Sequence, residues 1–259
     1  GGDARADALV EAYARHPHIR FQLVRTANRN LATSRNVGLP QCVGEVIALT
    51  DDDAQVFPDW IAQIGAALKR HPQAGAVGGP VLGSNTHTLV GRVSDAVTFP
   101  AWPTARPVRT LPGVNVAYRA AVVRAVGAFD ERLFRGEDVD YNWRVAQLGH
   151  SLIFDPTIRV RHEHRATWRG LLRQHWMYGR AYRLVRRKWP AMYCVYPHGL
   201  LRARDGLKAG YFVAGALIEP LRSLRRLPPG RDRLLAYAPM VANQLVWRAG
   251  MLFQLLRGD

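Results

Sequence analysis

The sequence has few cysteines and no long apolar run. Its two cysteines, Cys42 and Cys194, have neither CxxC nor zinc-site spacing, so a disulfide framework and a zinc centre are both excluded as the basis of the fold. A reducing, cytoplasmic setting is therefore expected. No apolar stretch approaches the roughly 18 residues that a membrane-spanning helix needs, and the first residues contain no signal-peptide core. Neither a membrane span nor a secretion signal is predicted.

Acidic residues are scarce in the last two fifths of the chain. Residues 1–158 contain 16 Lys and Arg against 15 Asp and Glu, whereas residues 159–259 contain 20 against 5. The basic charge therefore belongs to one segment, which suggests an anionic partner such as a membrane surface or a nucleic acid. A nucleic-acid-binding protein is the less favoured alternative, because no RNA- or DNA-binding motif is present and the acidic clusters described below would have no role.

Strand and helix patterns alternate up to about residue 160. Apolar runs predict strands at 21–24, 46–50, 76–82, 114–118, 152–154 and 158–160, and helical spacing predicts helices at 4–15, 33–42, 57–68, 119–126 and 139–148. Four prolines make 99–113 a loop. After residue 166 the patterns are helical. We therefore predict an α/β domain over residues 1–165 and a basic helical extension over 166–259.

Two acidic clusters carry the clearest chemical signal. Asp51, Asp52 and Asp53 follow the apolar run 46–50, and a second group, 137–140, opens a helical stretch after Gly136. Carboxylates at this density repel one another, and a divalent cation among them relieves the repulsion. Ligands also bind at the carboxyl ends of buried strands, where the first cluster lies. The alternative is that both clusters only cap or complement helix ends.

The order of several motifs resembles family 2 glycosyltransferases, the inverting enzymes of the GT-A fold. The motifs are 28–38, the strand that ends in 51–53, 127–131, 136–140 and Arg144, and the resemblance covers about residues 20–190. It implies a mostly parallel sheet flanked by helices. Members of this family begin with further strands that hold part of the nucleotide site. Those strands are missing here, so an N-terminal truncation is expected, with 2–3 as a remnant of the second strand.

The resemblance implies transfer of a sugar from a nucleotide-diphosphate donor to a hydroxyl acceptor, either a glycan or a lipid-linked molecule. It makes Asp53 a ligand of Mg²⁺ or Mn²⁺, places Asp51 at the ribose or at the metal's water molecules, and puts Asp52 beside them. Arg35 is expected to contact the nucleotide base or the diphosphate, its alternative being a solvated helix arginine. A divalent metal suits this chemistry because the leaving diphosphate develops negative charge.

An inverting transfer also needs a base that accepts the proton of the acceptor hydroxyl. Asp138 is the candidate, with Glu137 and Asn115 expected to bind the acceptor. His162 is a further metal-ligand candidate, although His164 is close enough in sequence to make that assignment ambiguous. The alternatives are a helix-end role for the two acidic residues, and a buried, hydrogen-bonded asparagine at position 115.

The segment 168–189 has the clearest amphipathic pattern. One face carries Leu171, His175, Tyr178, Tyr182, Val185 and Trp189, and the opposite face carries Arg169, Arg173, Arg180, Arg183 and Arg187. This pattern is typical of helices at an anionic membrane surface, so peripheral contact with the inner face of the cell membrane is expected. The alternative is a helix packed on the catalytic domain with its arginines in water. For the whole chain, a catalytically inactive GT-A-like binding module remains the alternative to an enzyme.

Overall fold

The computed structural model describes residues 4–27, 29–192 and 206–257, and the sequence features at 2–3, Asn28 and Cys194 lie outside them. The elements in chain order are α1 (Ala4–Tyr13), α2 (Leu31–Gly38), β1 (Val46–Leu49), β2 (Ala54–Val56), α3 (Trp60–Arg70), β3 (Ala74–Gly78), β4 (Val81–Gly83), α4 (Leu89–Thr98), β5 (Arg106–Val108), β6 (Val116–Arg119), α5 (Ala120–Val126), α6 (Glu137–Gln147), β7 (Ser151–Phe154), β8 (Val160–His162), α7 (Trp168–Lys188), α8 (Gly206–Leu224) and α9 (Arg231–Arg257).

The strands form a five-stranded sheet in the order β1-β6-β3-β7-β5 and a three-stranded sheet in the order β2-β8-β4. The expectation of a mostly parallel sheet is wrong for the described strands. In the larger sheet β3 and β7 are parallel, while β6 runs antiparallel to both β1 and β3, and β5 runs antiparallel to β7. Apolar runs predict that a segment is a strand, but its direction depends on long-range pairing that those runs do not encode.

The larger sheet is buried on both faces, because neighbouring residues of a strand point to opposite sides. Tyr118 packs in the cluster that includes α5 and α6, whereas its neighbour Ala117 packs in the cluster on the α3 side. Leu152 and Ile153 of β7 divide in the same way. The helices therefore cover both faces of the sheet, and the ends of β1 and β6 are held in place by this packing.

Among the predictions of local structure, the strand at 21–24 is wrong and the loop at 99–113 is incomplete. Residues 21–24 form no strand, and Phe21, Leu23 and Val24 are more than a third exposed, so this apolar run lacks the burial that would favour a strand. The proline-containing segment 99–113 is mostly loop, as predicted, but it also contains the edge strand β5. Proline is compatible with an edge because its missing N–H need not pair there.

Helices α7, α8 and α9 form the C-terminal part, and no strand follows β8 in the residues that the structure describes. α7 and α9 pack very closely at two glycines. A Cβ on Gly179 would lie 1.9 Å from the carbonyl oxygen of Trp247, and one on Gly250 would lie 2.3 Å from that of Trp176. Val185 on α7 also packs against Leu133 of the α/β part. Among the described helices, none combines the length and apolar character needed to cross a membrane.

Candidate functional site

The second acidic cluster forms the first turn of α6. Gly136 precedes the helix with a φ of 79°, a left-handed conformation that glycine adopts without strain. Glu137 and Asp138 follow, where the positive end of the helix dipole stabilises carboxylates. The Asp138 carboxylate accepts hydrogen bonds from the backbone N–H of Gly113 at 3.0 Å and of Val139 at 2.8 Å. These two donors fix the orientation of Asp138.

Arg35 joins the two acidic clusters. Its Nη1 donates to Glu137 Oε1 at 2.8 Å, and its Nη2 lies 3.4 Å from Asp51 Oδ1. The arginine side chain is only 8% exposed, so the alternative of a solvated helix arginine is wrong. Its guanidinium passes over Gly113, where a Cβ would lie 2.4 Å from Nη2. A glycine at position 113 is therefore needed for the arginine to reach both carboxylates.

Burial raises the pKa of both carboxylates that contact Arg35. For Glu137, desolvation and the nearby Asp138 raise the pKa to about 7, although the Arg35 charge opposes the shift. For Asp51, desolvation again dominates, with Arg35 lowering the pKa and Asp53 raising it. One guanidinium therefore compensates only part of the negative charge at this site, and a further cation would be stabilised there.

The first acidic cluster lies directly beyond β1, and its third member meets a histidine. β2 pairs with β8 so that Ala54 is opposite His162, and this register brings Asp53 Oδ1 to 3.2 Å from His162 Nε2. Asp51 instead lies beside Arg35. Asp52 is exposed, in the turn between the strands. The three aspartates therefore have three different environments.

The structure also separates the two histidines. His162 is 8% exposed and faces Asp53, and desolvation lowers its pKa, which favours the neutral imidazole that can bind a metal. His164 Nε2 instead lies 3.1 Å from Asp95 Oδ1, which also accepts a hydrogen bond from the N–H of Gly83. Although burial raises the pKa of Asp95, these hydrogen bonds lower it overall. His164 therefore has a structural partner, and His162 is the histidine at the site.

The other two motifs of the resemblance hold α2 against the segment before α6. Asn30 caps α2 by accepting from the N–H of Thr33, and its amide donates to the carbonyl of Glu131. Asn36 both accepts from the N–H of Phe129 and donates to its carbonyl. Thr33 and Asn36 each donate to the Glu131 carboxylate. These hydrogen bonds connect residues about 100 positions apart and set the position of Arg35.

Asp140 is structural, as its spacing from Arg144 predicts. It is fully buried, accepts from Arg144 Nε at 3.0 Å, and contacts α7 and the residue after it through Lys188 Nζ at 2.5 Å and Trp189 Nε1 at 2.7 Å. The two contacts from the C-terminal part were not predicted from the sequence. They attach the end of α7 to the helix that carries Asp138.

These side chains line a cavity of about 400 Å³, here called the carboxylate pocket. Five of the predicted site residues line it together with Arg35: Asp51, Asp53, Glu137, Asp138 and His162. Asp52 is not among the described residues that line it. Arg29, Arg135, Arg165 and Tyr178 also line the pocket and were not predicted from the sequence as site residues. Tyr178 belongs to the apolar stripe of α7, so its helical spacing alone indicated a packing role.

Asn115 does not reach the carboxylate pocket with its side chain. It is fully buried, its Oδ1 accepts from Trp60 Nε1 at 2.9 Å, and its amide donates to the carbonyls of Pro80 and Ile158. All of its hydrogen-bonding atoms are therefore used within the fold. The acceptor-binding role expected for Asn115 is contradicted by this geometry, and the buried, hydrogen-bonded alternative is correct.

The donor atoms fit a divalent cation that also binds its substrate. Asp53 and His162 offer a carboxylate and an imidazole in mutual contact, and Asp51 lies close enough that Asp53 raises its pKa and His162 lowers it. Within the described residues, no group of three or more His, Cys, Asp and Glu forms a complete metal cage. Mg²⁺ and related ions commonly use one or two protein ligands and complete their shell with water and substrate phosphates. The pair fits that kind of site.

Comparisons with known proteins concern the family and the fold of the chain. A family model described as "Glycosyltransferase like family 2" matches residues 2–179. A pre-mycofactocin glycosyltransferase from Mycobacterium tuberculosis is 27% identical over 176 residues, which cover 63% of this chain and 34% of that protein. A glucosyl-dolichyl phosphate glucuronosyltransferase from Haloferax volcanii is 29% identical over 155 residues, covering 52% and 48%. The chain thus spans between a third and a half of the length of these relatives.

Among solved structures, the chain is similar to the mannosyltransferase PcManGT from Pyrobaculum calidifontis, determined in complex with GDP-Man and Mn²⁺. The TM-score is 0.64 at 19% sequence identity, and the match covers 100% of this chain and 76% of that one. At this identity the similarity concerns the fold. It confirms the expected GT-A fold, a sheet flanked by helices with a helical C-terminal part.

Proposed function

The chain belongs to glycosyltransferase family 2, and we propose that it transfers a sugar from a nucleotide-diphosphate donor to a hydroxyl group of a glycan or lipid-linked acceptor, with inversion. One observation carries the proposal. The Asp53–His162 pair, the buried Arg35 and the oriented Asp138 all line the same cavity of about 400 Å³. That volume lies in the range of small-molecule sites, about 300–1,000 Å³.

The donor is proposed to bind with its diphosphate between the Asp53–His162 pair and the arginines that line the pocket, which are Arg29, Arg35, Arg135 and Arg165. Asp53 and His162 would hold Mg²⁺ or Mn²⁺, which would neutralise charge on the leaving diphosphate. Arg35 is buried and rigidly held, so it can contact the nucleotide or diphosphate without further ordering. Asp51 is proposed to contact the ribose or the metal's water molecules. The resemblance also implies donor contact for Asp52, but this residue is not among the described residues that line the carboxylate pocket, so we propose only a peripheral role for it.

Asp138 is proposed as the general base. Its carboxylate is oriented by two backbone N–H groups and lines the pocket. In the proposed step, it accepts the proton of the acceptor hydroxyl while that oxygen bonds to the anomeric carbon. The bond from this carbon to the diphosphate oxygen breaks on the opposite side, which inverts the configuration. Because Glu137 pairs with Arg35, we propose that it positions this arginine, in addition to any contact with the acceptor.

The proposal is tested by donor turnover with added Mn²⁺ or Mg²⁺. A panel of nucleotide sugars is first screened for thermal stabilisation, and each stabilising donor is then assayed for transfer and hydrolysis. Asp138→Asn is expected to lower turnover by about 10²–10⁴-fold while leaving donor affinity nearly unchanged. Glu45→Gln, an exposed carboxylate at the start of β1, is the control and should keep wild-type turnover.

Four outcomes would contradict parts of this proposal. Normal turnover in Asp138→Asn would show that another group is the base. A product that retains the donor's anomeric configuration would exclude a single displacement. Donor binding without any turnover would favour the alternative of a catalytically inactive binding module. Salt-dependent binding of DNA without donor binding would favour the nucleic-acid alternative.

We also propose peripheral contact with an anionic membrane through the C-terminal helices, and a cytoplasmic position at the inner membrane face stays a prediction. The arginine face of α7 is only partly exposed to solvent. Arg169, Arg173 and Arg187 are exposed, whereas Arg180 donates to Gln254 on α9. α8 adds an apolar stripe, since Val213, Leu217 and Leu221 recur every four residues and are each more than half exposed. Basic and exposed apolar side chains together suit a membrane interface.

A further inference from the structure

A second cavity adjoins the carboxylate pocket, and its walls are chemically different. It has a volume of about 300 Å³ and is here called the aromatic pocket. Phe99, Tyr178, Tyr182 and Trp247 contribute four aromatic rings, and Val139 and Val185 add aliphatic surface. Sites for small organic molecules typically have such mostly apolar walls with a few polar groups.

The two pockets meet at Asp138. This residue lines both cavities, as do Gly136 and Tyr178. A group bound in the aromatic pocket therefore lies next to Asp138, which also borders the pocket that contains the arginines and the Asp53–His162 pair.

The charge of each pocket decides which substrate it suits. A nucleotide diphosphate needs the cations that line the carboxylate pocket. Asp138 and Arg186 are the charged residues among those described around the aromatic pocket. Arg186 is itself 6% exposed and donates to the carbonyls of Trp189 and Met192, while its buried Nε has no hydrogen-bond partner in the described part of the chain. An acceptor oxygen could satisfy this Nε.

We propose that the aromatic pocket binds an apolar group of the acceptor, attached close to the hydroxyl that Asp138 deprotonates. This inference rests on the proposed function, because it takes Asp138 as the base. It assigns a role to the C-terminal helices, since α7 and α9 supply Tyr182 and Trp247, whose rings lie 5.0 Å apart. The apolar group is either an alkyl chain, as in a lipid-linked acceptor, or an aromatic ring.

The first test is a binding comparison that needs no turnover. Methyl, octyl and phenyl β-D-glucopyranosides are titrated calorimetrically into the protein, with octyl glucoside kept below its micelle concentration. Burial of the octyl or phenyl group is expected to tighten binding by at least about tenfold over the methyl compound. A larger gain for octyl indicates a chain-binding site, and a larger gain for phenyl indicates a ring-binding site. Equal affinities for all three would overturn the proposal.

Filling the pocket is the second test. Ala181→Leu on α7 and Thr98→Phe at the end of α4 each place bulk in the aromatic pocket from a different wall. Thr98 is suited to replacement because its hydroxyl makes no hydrogen bond to any described residue. Each variant should lose most of the octyl or phenyl gain. Ala62→Leu, on an exposed part of α3, is the matched control.

The same variants distinguish this inference from the proposed function. Binding of the stabilising nucleotide sugar and its hydrolysis without acceptor should stay at wild-type levels in Ala181→Leu and Thr98→Phe. If no nucleotide sugar binds even the wild type, the proposed function fails, while the glucoside titrations still report on the pocket. If donor hydrolysis is normal and both filled variants bind octyl and phenyl glucosides as the wild type does, the aromatic pocket is not the acceptor site.

Discussion

At the scale of single residues, the site depends on how one arginine is shared between two carboxylates. Arg35 contacts both Glu137 and Asp51, yet burial still raises the pKa of each. Removing a partner from a buried ion pair is generally costly, because the remaining charge is left without compensation. The contacts of Arg35 with Glu137 and Asp51 therefore hold its guanidinium in place between the two acidic clusters.

Of the aspartates after β1, Asp53 should contribute to metal binding and Asp52 should not. Asp53→Asn removes the carboxylate that faces His162, so the affinity for Mn²⁺ in the presence of UDP or GDP should fall by more than the 10–100-fold typical of losing an outer-shell partner. His162→Ala should have a smaller effect, because a carboxylate ligand remains. Asp52→Asn is the matched control, since Asp53 faces His162 and lines the carboxylate pocket whereas Asp52 is not among the described residues that line it. Calorimetric titration measures all three. Equal losses for Asp52→Asn and Asp53→Asn would contradict the assignment.

A buried histidine should make stability depend on pH. Desolvation lowers the pKa of His175 from 6.5 to about 4. Between these values the unfolded chain binds more protons than the folded one, so this group's contribution to stability is present above pH 6.5 and is lost as the pH falls toward 4. The contribution is at most about 3 kcal/mol.

Urea unfolding at pH 7, 5.5 and 4.5 measures this effect. In His175→Gln, the decrease in the free energy of unfolding between pH 6.5 and 4 should be smaller than in the wild type. His87→Gln, which changes an exposed histidine, should keep the wild-type slope. Superimposable pH profiles for the wild type and His175→Gln would show that burial of this imidazole has no thermodynamic consequence.

At the scale of elements, the contact between α7 and α9 determines the shape of the aromatic pocket. The two helices approach so closely at Gly179 and Gly250 that backbone meets backbone. This approach brings Tyr182 of α7 beside Trp247 of α9. A stripe of aromatic residues on α7 thus serves both packing and pocket formation, which a helical pattern alone does not distinguish.

Gly179→Ala should therefore be destabilising, although alanine normally favours helices. Its Cβ would lie 1.9 Å from the Trp247 carbonyl oxygen, so the helices must move apart, at a cost of about 1–3 kcal/mol. Gly65→Ala in α3 is the matched control, since nothing lies within 4 Å of its Cβ, and it should stabilise the protein by up to about 1 kcal/mol. Thermal or urea unfolding compares them. Stabilisation by both substitutions would contradict the close approach.

At the scale of the whole molecule, the excess of basic charge and the two acidic clusters lie in different parts of the chain. Residues 1–158, which contain both acidic clusters, have a net charge of +1, and the excess of 15 positive charges falls in residues 159–259. Some of that charge is used internally, as with Lys188 on Asp140 and Asp130. Burial and the nearby charges of Arg187 and Arg186 lower the pKa of Arg183. An anionic surface would reduce the electrostatic repulsion among these three arginines.

The protein should therefore sediment with vesicles that contain phosphatidylserine but not with neutral phosphatidylcholine vesicles, and high salt should release it. Arg183→Glu with Arg187→Glu should weaken this binding by at least about 30-fold, since each basic residue lost near the surface removes about 1 kcal/mol and each new carboxylate is repelled. Arg20→Glu with Arg124→Glu, two exposed sites outside the C-terminal part, is the control. Equal binding to both kinds of vesicle, or to neither, would contradict the membrane proposal.

Local sequence determined the features that depend on near neighbours. The apolar run before Asp51 predicted β1, the acidic residues after Gly136 predicted the start of a helix within two residues, and helical spacing predicted α7 almost to its ends. The two acidic clusters also indicated which carboxylates line the carboxylate pocket, since Asp51, Asp53, Glu137 and Asp138 all belong to them.

Tertiary structure decided everything that depends on pairing between distant segments. The β2–β8 register selects Asp53 over Asp52 as the neighbour of His162, and Arg35 meets Glu137 across 102 positions of the sequence. Packing buries Asn115 away from the pocket and leaves 21–24 without a strand. Strand direction, register and burial arise from contacts between segments, and a short stretch of sequence does not specify which distant segment it will meet.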